Sequence, residues 1–154
     1  MKKIICLLLL AFIIAPTAFA SWDYNENGGF GIYLPDGWSS TENGRSTQLT
    51  GPTADSAQSK IFLGSDWVSH VNTIDDLENY VRTQVKNASP TKVQNSGLDG
   101  FSVGNELVGK MFFLRQAENV IVVEYQLRGS SDQKDEGKTA LGSIEIRTKG
   151  NNYP

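Results

Sequence analysis

The chain has 154 residues, a formal net charge of −3 and 39 % hydrophobic residues, with one cysteine and one histidine. That length bounds it to one ordinary domain, able to bury roughly two-thirds of its unfolded surface without staples. Mild acidity argues against nucleic acid and anionic membrane as partners, and no basic cluster stands against that: Arg45, Lys60, Arg82, Lys86, Lys92, Lys110, Arg115 and Arg128 are scattered.

The opening residues decide compartment. Lys2 and Lys3 give a positive start, Ile4 to Ala15 is an unbroken run of twelve apolar residues, and Ala18-Phe19-Ala20 is an A-x-A cleavage signal. This predicts a secretory signal peptide of bacterial type, cut after Ala20, and a periplasmic or extracellular location. The run is shorter than the ~20 residues a membrane helix needs, so no membrane insertion is expected after cleavage. Cys6 falls inside the apolar run, without the small residues that precede a lipid-modified cysteine. The 134 residues left of the 154 contain no cysteine, and losing two lysines and no acid takes the charge from −3 to −5. A secreted chain of that kind relies on its core, since disulfides are not open to it.

Residues 21–29 contain DYNENGGF as far as Gly29, with Asp23, Asn25 and Asn27 at alternate positions and Gly28 after them. An EF-hand loop begins this way, but its twelfth position must supply a bidentate acid between two helices. Counted from Asp23, the twelfth residue is Leu34, in an apparent strand. The segment therefore reads as an N-terminal turn built on Asn25 and Asn27-Gly28, with no metal ligand.

Phe30, Ile32 and Leu34 alternate as a half-buried strand, turned by Pro35-Asp36-Gly37. A second extended piece opens at Trp38, Asn43-Gly44 is a hairpin signal, and Arg45 to Thr50 returns. Thr53 to Ser59 is a polar loop, and Lys60 to Gly64 is apolar on both faces, as a strand inside a sheet would be. Thr73 with Asp76 forms a capping-box pattern; Asp75, Asp76 and Glu78 crowd the start of the helix it opens. Ile74, Leu77, Val81 and Val85 give this helix one apolar stripe, and Pro90 places its end near Asn87.

Strands resume at Thr91 to Asn95, with a turn over Gly97 to Gly100. Phe101, Val103, Asn105 and Leu107 then share a face. Lys110 to Arg115 places Met111 and Phe113 opposite Phe112 and Leu114. After a tight connection at Ala117-Glu118-Asn119, Val120 to Arg128 aligns Ile121, Val123, Tyr125 and Leu127. Such short connections make antiparallel neighbours, because a parallel crossover needs roughly a dozen residues. A last helix starts at Ser130 or Ser131, capped through Gln133, with Ala140, Leu141 and Ile144 apolar. Residues 148–154 read as a loose tail.

In this order, GFGIYLPDGW, QLTGP, the KIFL strand, the TIDDL helix start, GKMFFLR and VIVVEYQLR, and the closing ALGSIEI are similar to the PsbP-like domain family. The resemblance spans roughly residues 28–147. It implies a PsbP-like α/β/α sandwich in a small secreted bacterial protein, a scaffold or partner-binding role, and no catalytic motif. The reading is thus an α+β fold: an antiparallel sheet of about six strands with two principal helices packed on it, as one domain over residues 30–147.

Candidate chemistry is sparse. His70 is the only histidine, which excludes a multi-histidine zinc site within the chain. Asp66, Ser69 and His70 hold the residue types of a hydrolytic triad, but triad members converge from separate elements and no G-x-S-x-G elbow is present. Asp75-Asp76 and Asp135-Glu136 read as acids in first helical turns. Gly28-Gly29-x-Gly31 precedes a strand, unlike a phosphate-cradling loop. Among the tryptophans, Trp38 is expected in the core and Trp67 at the surface, where Trp67 and His70 are the candidate partner contact. The functional reading is an exported, non-enzymatic binding module whose partner is another envelope protein, with no cofactor. A small hydrolase with an unrecognised site is the alternative, and a structural or stress protein of the envelope the third.

Overall fold

The structure is a computed structural model that describes residues 21–52, 58–115 and 119–146. The expected signal peptide at 1–20, most of the polar loop at 53–59, Ala117-Glu118 and the tail lie outside the described residues. Strands β1 (Ser21–Asn25), β2 (Phe30–Leu34), β3 (Ser39–Asn43), β4 (Ser46–Thr50) and β5 (Lys60–Asp66) come first, then helix α1 (Ile74–Gln84). Strands β6 (Thr91–Asn95), β7 (Leu98–Gly104), β8 (Val108–Leu114) and β9 (Val120–Gln126) follow, then helix α2 (Ser131–Gly142) and the short β10 (Glu145–Ile146).

The fold is α+β, but the expectation of one sheet of about six strands is corrected. A seven-stranded antiparallel sheet runs β3-β4-β5-β9-β8-β7-β6, and a separate three-stranded sheet runs β1-β2-β10. Part of the difference lies in stretches read as turns. Ser21–Asn25 is a strand, with Trp22 opposite Tyr33 and Asp23 opposite Ile32, so the N-terminal turn shrinks to residues 26–29. The turn expected over Gly97 to Gly100 is only Ser96-Gly97, both at positive φ (46° and 82°), which suits a two-residue hairpin. Leu98 already belongs to β7, and that strand ends at Gly104, so Asn105 and Leu107 do not continue the face of Phe101 and Val103.

Helix α1 has the predicted capping box: Asp76 N–H donates to Thr73 Oγ1 at 3.2 Å and Thr73 N–H to Asp76 Oδ2 at 2.9 Å. The helix stops at Gln84 rather than near Asn87, because its C-cap Val85 already takes an extended backbone, with φ of −121° and ψ of 101°. Leu77 and Val81 are fully buried against Phe101, Val103 and Phe112, on one face of the large sheet. On the other face Leu49, Ile61, Leu63, Phe113, Ile121 and Val123 pack with Phe30 and Ile32 of the small sheet and Ala140 and Leu141 of α2. One face is thus covered by α1, and the other by the small sheet together with α2. Strand β5 does lie inside the sheet, yet of its apolar side chains only Ile61 and Leu63 are buried, with Ser65 on the same face. Phe62 is 40 % exposed, because α1 docks on β7 and β8 and leaves that end of its face open.

Helix α2 begins at Ser131, so Asp132 is its first-turn acid; Asp135 and Glu136 sit further along, contrary to expectation. Glu136 has a different use: its Oε2 accepts the Trp38 indole N–H at 3.0 Å, holding the buried Trp38 against the helix. Gly137 lets that approach happen. A Cβ there would fall 2.5 Å from Leu127 Cδ2 and 3.2 Å from the Trp38 ring, so the helix accepts a glycine that costs about 1 kcal/mol in propensity.

The DYNENGGF segment closes the architecture. Asp23 lies in β1, and Asn25 turns its carboxamide oxygen to Gly28 N–H at 2.6 Å. Its Nδ2 donates to Ser46 O at 3.0 Å and to Thr47 Oγ1 at 3.1 Å. The EF-like spacing is taken up by a hairpin whose buried asparagine ties the small sheet to β4.

Candidate functional site

The candidate contact residues Trp67 and His70 lie on the loop between β5 and α1. Asp66 ends β5, and its Oδ1 accepts the Trp67 N–H at 2.8 Å. The loop is fastened from outside by Asn119, 7 % exposed, which stands just before β9. Asn119 Oδ1 accepts the Val68 N–H at 2.7 Å, and its Nδ2 donates to the carbonyls of Val68 and Val71, the latter at 2.7 Å. Val71 N–H returns to the Val68 carbonyl at 3.0 Å. One amide side chain thus satisfies both ends of a short loop, as buried backbone polar groups require.

The two candidate residues have different surroundings. Trp67 is 66 % exposed, the most exposed of the large apolar side chains that the described residues leave in solvent. His70 is also exposed but rests edge-on against Tyr80 of α1, with ring centroids 6.1 Å apart. Tyr80 in turn meets Phe112 edge-on at 6.2 Å, so the loop is buttressed through aromatic rings to the core. Burial, followed by the charge of Asp66, pushes the Tyr80 hydroxyl above its ordinary value of 10.0. The three residues of the triad pattern do not assemble: Asp66 faces the Trp67 N–H, the His70 ring faces Tyr80, and no hydrogen bond joins them among the described residues.

Behind this loop, at the end of the large sheet, is a cavity of about 480 Å³. Val71, Leu98, Leu114 and Ile146 form its apolar wall; Asn72, Asp99, Arg115 and Asn119 contribute polar groups. Asn119 therefore belongs to both the loop and the cavity. Arg115 is unusual in being a guanidinium only 8 % exposed. Its Nη1 donates to Gly28 O at 2.5 Å, and the flat group lies beneath Gly29, at φ of 65°, where any Cβ would collide with it. Burial, and secondarily the charge of Arg45, lower its pKa below the ordinary guanidinium value; a guanidinium still stays cationic at neutral pH. Among the described residues no carboxylate lies within ion-pair distance of it, and the ion pairs present, such as Arg82–Glu78 at 2.7 Å and Lys110–Glu124 at 2.6 Å, are on the surface.

Arg115 and Asn119 are the residues that sequence reasoning missed. The signal was parity. Met111, Phe113 and Arg115 alternate onto one face of the strand, and Asn119 continues backwards the face of Ile121 and Val123. A polar residue that extends a buried period-two pattern is placed among buried neighbours by that pattern.

No protein-family model and no curated protein matches the chain. Among solved structures it is similar to a crystal structure at 1.50 Å of a protein from Bacteroides thetaiotaomicron VPI-5482, with a TM-score of 0.53 and 16 % identity. The match covers 86 % of this chain and 50 % of that one, so the chain spans half the length of its structural relative. At that identity the likeness concerns the fold alone.

Proposed function

We propose that this chain is an exported, non-enzymatic binding module of the bacterial envelope, docking another envelope protein through the Trp67–His70 loop. The observation that carries the reading is an exposed tryptophan on a loop held rigid by three Asn119 hydrogen bonds. Aromatic anchors dominate interface energetics, and a loop ordered before contact loses little entropy on binding. The helix-covered antiparallel sheet agrees with the PsbP-like α/β/α sandwich that the sequence resembles, and the Lys2-Lys3 start with its Ala18-Phe19-Ala20 signal supports export.

The test is cross-linked capture from a bacterial envelope, using the tagged chain expressed with its own leader. The exported form should begin at Ser21, and Trp67→Ala should lose the captured protein. Phe62→Ala, which removes another exposed aromatic away from the loop, should retain it. Equal capture by parent and Trp67→Ala, or a mature protein still starting at Met1, would overturn the proposal.

A further inference from the structure

We propose that the cavity at the end of the large sheet binds a small organic anion, a monocarboxylate with an apolar body. Arg115 would hold the carboxylate, and Val71, Leu98, Leu114 and Ile146 would hold the hydrocarbon. Arg115 carries the argument. A guanidinium offers five N–H donors in a planar fork, and this one has a single acceptor among the described residues, the Gly28 carbonyl. Pinning a turn to one carbonyl is work a neutral donor performs without the cost of desolvating a charge. A carboxylate in the guanidinium plane satisfies two donors at once and restores the missing negative charge.

The rest of the cavity selects the ligand. Its volume of about 480 Å³ lies in the usual range for small-molecule sites, roughly 300–1,000 Å³. Four aliphatic side chains on the wall exclude inorganic phosphate as a good fit, since it would leave them facing a strongly hydrated ion. Asp99 also lines the cavity, with its Oδ1 accepting from Gln94 Nε2 at 3.0 Å, and a second negative group placed beside it would be repelled. One carboxylate and an apolar tail of several carbons is what remains. The inference goes beyond the partner-docking proposal and does not depend on it.

Hexanoate is the probe, with 1-hexanol and succinate as controls for the charge and for the tail. In an amide chemical-shift titration of the purified chain, hexanoate should give saturable shifts at Leu98, Leu114 and Asn119, and neither control should. Arg115→Gln should weaken hexanoate at least about ten-fold, with Arg115→Lys between the two, because lysine keeps the charge and loses the fork. Because Arg115 also supports the Gly28 turn, Ile146→Trp gives an independent variant: it keeps the guanidinium and fills the cavity, and should abolish the shifts. Trp67→Ala should bind hexanoate as the parent does, which separates this site from the docking loop. No saturable shift with hexanoate, equal binding of 1-hexanol, or undiminished binding in both Arg115→Gln and Ile146→Trp would overturn the inference.

Discussion

Replacing Asn119 with alanine removes three hydrogen bonds, but they are not equal. The Val68 carbonyl keeps the Val71 N–H at 3.0 Å, so it is not orphaned. The Val68 N–H and the Val71 carbonyl lose the partners at 2.7 Å that Asn119 supplied, and Val71 is fully buried. A buried polar group left unpaired costs about 1–3 kcal/mol. Val68 is only half-buried, so water can replace its partner, and the adjoining cavity lets water approach the Val71 carbonyl as well. The expected loss is therefore near the low end for two groups, about 2 kcal/mol, read from the urea midpoint at unchanged slope. Asn119→Asp sharpens the test. It keeps the acceptor for Val68 N–H but sets a carboxylate oxygen against two carbonyls, so at neutral pH it should be less stable than the alanine variant. That environment raises the new carboxyl's pKa on folding, so the deficit should shrink as pH falls through the raised value. If Asn119→Ala melts at the parent midpoint, or Asn119→Asp is the more stable variant at pH 7, Asn119 does not hold the loop as described.

Two further outcomes concern α1. Leu77, fully buried between the helix and β7–β8, should cost about 2–5 kcal/mol on truncation to alanine; an unchanged denaturant midpoint would mean that the helix does not dock there. The Asp76 carboxyl is held below its ordinary 3.8, first by the Asn72 backbone N–H and then by the Thr73 side chain and backbone. Its stabilising contribution is therefore complete above that value and lost as pH falls through the lower folded pKa. The stability gap between parent and Asp76→Asn should close over that acid range, and a gap that persists at the lowest pH would refute the assignment.

What the sequence disclosed was local. Thr73 with Asp76 and Ser130 with Gln133 mark both helix starts, because a capping box is completed within three residues. Ile121, Val123, Tyr125 and Leu127 announce their buried face by alternation alone. The division into two sheets was not legible, since β5 meets β9 and β2 meets β10 across long stretches of chain that no local pattern encodes. For the same reason Trp67 could be placed on a surface loop from its neighbours, whereas the cavity could not be foreseen. Its walls come from the loop before α1, the β6–β7 turn, the end of β8 and β10, and only folding brings them together.

The small sheet has a consequence for the order in which the molecule forms and opens. Tyr33 N–H of β2 donates to Ser143 Oγ at 2.8 Å across 110 residues of sequence, and β10 joins β2 beside that bond. A two-stranded hairpin such as β1–β2 is marginal alone, so its permanence waits on α2 and β10. The entropy of closing so long a loop rises only logarithmically with length, but non-local pairing of this kind is slow to find. The β6–β9 meander needs only sequence neighbours. The topology therefore predicts that β1, β2, α2 and β10 are fixed after the β6–β9 meander and open together as one unit of local unfolding.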